Sequence, residues 1–137
     1  MVKSMRQFAL QQTALLLGRL SAAVDRAARD ADAASIHDLR VAMRRLSRGL
    51  RIFAPLYPDA SWKKMRRRIA ALLAAAGAVR DCDIALDLVA RAGVARRSAM
   101  VAQLAAQRRK AGRDLLLEIR RWKSRDYPRR WRGRLEV

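Results

Sequence analysis

The chain has 137 residues, enough for one domain with a buried core; 52% of them are hydrophobic and only 5% aromatic. Lysine and arginine total 31 against 12 aspartates and glutamates, a formal net charge of +19, so the surface repels itself unless a polyanion arrives. A single cysteine and a single histidine exclude an intrachain disulfide and any credible zinc or iron cluster, while an N-terminal segment too polar for a membrane span and lacking a signal-peptide core predicts a soluble cytoplasmic protein.

Alanine and leucine supply most of the apolar content, and glycine and proline are scarce, which predicts packed helices rather than strands. A first helix is expected from about Lys3 to Asp30, with Phe8, Leu15, Leu16, Leu20, Ala23, Val24 and Ala27 at three- and four-residue steps. The polar ADAAS stretch breaks it. Ser35 is the expected N-cap of a second helix, with Asp38 at its third position, running to about Ala54. Leu39, Ala42, Met43, Leu46, Leu50, Phe53 and Ala54 form one side of that helix. On the other, His37, Arg40, Arg44, Arg48 and Arg51 fall within about 80° at 100° per residue. Such a row of forked donors suits phosphate oxygens. Pro55 and Pro58 bracket a turn.

Ser61 is expected to cap a third helix reaching about Ala78, with Trp62, Met65, Ile69, Leu72, Leu73 and Ala76 as its seam. Lys64, Arg67 and Arg68 lie roughly opposite, and Lys63 and Arg66 flank them. Gly77 predicts a break or a close backbone approach, after which RDCDIALDLVARAG reads as a short fourth helix with Asp81 near its N-terminus and Gly93 at its end. A long basic fifth helix, about Ala95 to Lys123, carries Met100, Leu104, Ala105, Leu115, Leu116 and Ile119. Residues 127–137, interrupted by Pro128 and Gly133, have no helical period and read as a basic tail beside a single domain of residues 1–126. The fold class is all-α, a bundle of about five helices.

If the second and third helices pack antiparallel, their basic faces border one groove, and Arg80 at the following turn closes one end. A linear polyanion fits such a groove better than a compact ligand. His37 adds a donor when protonated. Asp81 and Asp83 read as a cap and an ion-pair partner, since no positioned nucleophile or base accompanies them. Cys82 reads as a small buried hydrophobe. Trp122 and Trp131, set among arginines, suit either base stacking or anchoring of the last helix, and anchoring is the favoured reading.

IHDLRVAMRRLSRGLRIFAPLYP followed by LLAAAGAVRDCDIAL closely resembles the CHAD family of α-helical domains. His37, Arg40, Arg44, Arg45 and Arg51 match its first block; Gly77, Arg80, Asp81, Asp83 and Ile84 match its second. Ser47 and Ala76 depart from the pattern, and Arg48 is placed to compensate for Ser47. The resemblance, over about Phe8 to Lys123, implies binding of inorganic polyphosphate in a basic channel without catalysis, metal or other cofactor, often at polyphosphate granules. It adds Arg45 to the expected site, which then comprises His37, Arg40, Arg44, Arg45, Arg48, Arg51, Lys64, Arg67, Arg68 and Arg80. Family domains usually contain two similar halves, each with its own His-containing block, and this chain resembles the first half. A homodimer is therefore expected to complete the channel, covering an otherwise exposed apolar surface. The alternatives are a nucleic-acid-binding protein held by phosphate contacts and, third, a polyphosphate or triphosphate hydrolase.

Overall fold

The computed structural model describes residues 4–57 and 60–135. Residues 1–3, 58–59 and 136–137, and with them the expected start at Lys3 and the turn role of Pro58, lie outside the described residues. Among the described residues five α-helices follow one another: α1 (Met5–Arg29), α2 (Ala33–Phe53), α3 (Ser61–Arg91), α4 (Ala99–Ser124) and α5 (Tyr127–Leu135), with a 3-10 turn at Ala54–Leu56 after α2. No strand occurs among the described residues. The all-α class holds, but the chain is divided differently from the expectation.

Three helix starts are fixed by side-chain caps. Ser4 and Gln7 form a reciprocal capping box on α1. Ser98 Oγ accepts from the Val101 amide at the start of α4. At α2 the cap is Asp32 and not Ser35: Asp32 Oδ1 accepts from the Ser35 amide at 2.8 Å, and Ser35 is buried one turn in. Asp accepts at least as well as Ser in this position, so the helix begins three residues earlier than expected. That bond also holds the Asp32 carboxyl below its ordinary pKa.

The larger difference concerns α3, which runs unbroken through Gly77 for 31 residues. A lone helical glycine costs about 1 kcal/mol relative to alanine and does not by itself end a helix. Asp81 is accordingly an interior helical residue and not a cap. The true stop comes at Gly93, whose φ of +78° lies in the left-handed region that only glycine adopts cheaply. The Gly93 amide donates to the Ala90 carbonyl and the Val94 amide to that of Val89.

α2 packs antiparallel against α1 and α3, and α3 against α4. Arg66 on α3 meets Ser47 on α2, while Asp83, farther along α3, shares Arg108 with Ala31 just before α2 begins. Leu17, Leu20 and Val24 of α1, Leu39, Met43, Leu46 and Leu50 of α2, Met65, Ile69 and Leu72 of α3, and Leu115 and Ile119 of α4 form the core. On α1 the buried positions are Ala9, Thr13, Leu17, Leu20, Val24 and Ala27, whereas Phe8 and Leu15 face outward. Apolar residues surround much of that helix, so spacing alone does not choose its inner face. Buried Thr13 Oγ1 bonds the Ala9 carbonyl at 2.8 Å and the Tyr57 hydroxyl at 2.7 Å, tying the turn after α2 to α1.

Residues 127–135 are a helix, not an irregular tail. Proline is tolerated in a first helical turn, where its missing N–H has no helical partner, and Pro128 sits there. Trp122, Tyr127 and Trp131 are buried together, with ring centroids 5.1–5.4 Å apart, and Tyr127 and Trp131 stack nearly parallel. α5 thereby lies against α1 and α3. The two tryptophans anchor the last helix and have no face free for a base.

Candidate functional site

α2 presents to the core a face built from Ile36, Leu39, Met43, Leu46 and Leu50. His37, Arg44, Arg48 and Arg51 are exposed on the other side, and Arg40 is half-buried at its edge. The neighbours on each flank orient this stripe. Ser47, roughly 20° round the helix from Arg40, accepts from Arg66 Nε at 3.5 Å, so that flank faces α3. The other flank faces α1: Asp38, Val41, Ala42 and Arg45 line a cavity of about 210 Å³ with Leu16, Arg19 and Ala23. Asp38 pairs there with Arg26. His37, Arg40, Arg44 and Arg51 consequently sit on the crest and α3 flank of α2, a row free of carboxylates. Arg48 stands on the crest. Arg45, about 100° from Arg44, belongs to the α1 flank beside Arg19.

The opposite wall differs from the expected one. Arg66 marks the side of α3 that faces α2. Arg68, about 160° away from it, places its guanidinium 5.7 Å from the Tyr127 ring centroid and lines a small pocket with Glu118, Arg121 and Trp122. Arg68 therefore serves the α4–α5 side, and Lys64 shares that side by helical phase. Arg67 points outward between the two flanks. The wall of the groove is instead Arg66, with Lys63 at one end and half-buried Arg80 level with the first turn of α2 at the other. Sequence reasoning took the residues opposite the apolar seam. A groove between two packed helices is bordered by residues about a quarter-turn from the seam, which is where Arg66 lies.

Between these cationic ends Ala70, half-buried Leu73 and Gly77 share the side of Arg66 to within about 40°, and a Cβ built on Gly77 meets nothing within 4 Å. Gly77 thus has no packing partner that requires a glycine. Arg40 Nε is buried without a hydrogen-bond partner, an arrangement that is costly unless an acceptor reaches it. From Arg51 to His37 the row is about 21 Å long at 1.5 Å per residue. It is a lane of donors suited to successive oxyanions. Asp81 is the carboxylate at its far end. Among the described residues, no three of His, Cys, Asp and Glu come together as a metal site would require, and no helix is long and apolar enough to cross a membrane.

The family model described as the CHAD domain matches residues 11–136. No curated protein and no solved structure matches the chain.

Proposed function

The chain belongs to the CHAD-domain family, and on that premise we propose that it binds inorganic polyphosphate in the groove between α2 and α3. The observation that carries this reading is the carboxylate-free row His37, Arg40, Arg44 and Arg51 facing Arg66 and Arg80, with the buried Nε of Arg40 still lacking an acceptor. Phosphate oxygens supply acceptors at every step along the row. The arginines take them as forks, and His37 adds a charge-assisted donor on protonation. Binding is read as non-enzymatic: among the described residues no cluster of His, Cys, Asp and Glu that could hold a metal lies at the lane, and the bound chain is held and not cut. In the cell this function places the protein at polyphosphate deposits in the cytoplasm.

The second reading is a nucleic acid held by its phosphates, which the net charge of +19 favours on electrostatic grounds alone. The groove favours polyphosphate, because the residues that would stack bases, Trp122 and Trp131, are buried in the α4–α5 joint. Competition separates the two. Long-chain polyphosphate should displace labelled single-stranded RNA at equal phosphate concentration, and RNA should fail to displace labelled polyphosphate. Equal displacement in both directions would contradict the proposal.

A further inference from the structure

Arg108 marks where the four-helix packing stops. Its Nε donates to Asp83 Oδ1 at 3.1 Å and its Nη2 to the Ala31 carbonyl at 2.8 Å, joining α4, α3 and the connection between α1 and α2. Beyond that level α3 continues through residues 84–91, about 12 Å. No residue from 80 to 110 is buried. Ile84 is 41% and Leu88 60% exposed on this overhang. Helices draw most of their stability from packed apolar faces, and a contiguous exposed apolar stripe marks an interaction surface.

The pattern along that stripe identifies what covers it. Asp81, Ile84, Leu88 and Arg91 lie within about 80° on the α2-facing side of α3, in the order acid, apolar, apolar, base. The order is its own complement when reversed. Turned antiparallel about a two-fold axis level with Leu86, a second α3 sets Asp81 against Arg91 and Ile84 against Leu88, twice over. Among the described residues Asp81 has no ion-pair partner, and Arg91 pairs with Asp87 at an exposed position, which is worth little. A self-complementary patch is what an isologous dimer requires.

We propose that two copies of this chain associate through the α3 overhang, antiparallel, with Ile84 and Leu88 buried at the two-fold and Asp81 of each copy paired to Arg91 of the other. Gly77 and Ala70 lie on the same side of α3, so the two basic lanes run end to end across the axis. That last consequence rests on the groove reading, whereas the association does not.

Sedimentation velocity without polyanion tests the surface. The wild-type chain should sediment as a dimer at micromolar concentration. Leu88→Glu should raise the dissociation constant about tenfold or more, as a charge buried at an interface does. Asp81→Arg and Arg91→Asp should each be monomeric, while the double variant carrying both, and an equimolar mixture of the two singles, should regain the dimer. That rescue cannot come from misfolding. A wild-type monomer at high micromolar concentration, or a dimer indifferent to all these changes, would overturn the proposal. Polyphosphate titration of monomeric Leu88→Glu reports separately on the groove, since one copy carries a complete lane.

Discussion

Residue identity and residue direction carry different amounts of information in this chain. Arg66 and Arg68 are two positions apart and chemically identical, yet one faces Ser47 across the groove and the other lies against Tyr127. The residues of the α2 stripe were legible from spacing, because an amphipathic helix with one apolar face leaves its opposite face unambiguous. The α3 wall was not, because α3 touches α2 on one flank and α4 on the other, and spacing does not say which flank is which. At Gly77 neither the expected break nor a close backbone approach occurs: the helix runs through it and a Cβ there meets nothing within 4 Å. Gly77→Ala should raise stability by about 0.5–1 kcal/mol and weaken polyphosphate binding, because the added methyl stands on the floor of the lane. Denaturation and titration of the same variant check both signs, and unchanged affinity would remove Gly77 from the site. Tyr57 gives a pH prediction. Burial raises its phenol above the ordinary value, opposed in part by the bond to Thr13. The unfolded chain then ionises first, so stability is full below about pH 10 and declines as pH climbs past it. Tyr57→Phe should flatten that decline in denaturation curves.

At the scale of elements, what escaped the sequence was continuity. The pattern of α3 was read as two helices because glycine was weighed above the packing of Leu72, Ala76 and Val79 on either side of it. α5 was read as a tail because Pro128 and Gly133 hid a nine-residue helix held by three aromatic rings. Propensity is a weak prior, and tertiary packing overrode it in both places. The joint is therefore structural, and its removal should be felt in stability. Trp131→Ala should cost about 3–5 kcal/mol, the usual range for a buried aromatic, by urea denaturation. A loss below about 1 kcal/mol would mean that α5 is held by something other than the ring cluster.

For the molecule as a whole, the surplus of 19 positive charges sets the terms. Among the described residues, carboxylates that answer them include Asp83 at the Arg108 junction, Asp25 with Lys123 and Asp38 with Arg26. So large a surplus attracts any polyanion, and bulk affinity alone therefore says little about a site. The decisive comparison holds net charge fixed: polyphosphate affinity of Arg40→Ala/Arg66→Ala against Arg67→Ala/Arg68→Ala, each two charges short of the wild type, at one salt concentration. A lane between α2 and α3 predicts that the first pair loses about a hundredfold or more, since each arginine holding phosphate contributes roughly 1.5–3 kcal/mol. The second pair should lose only the small shift due to charge. Equal losses in the two variants would contradict the groove and leave a diffuse cationic surface in its place.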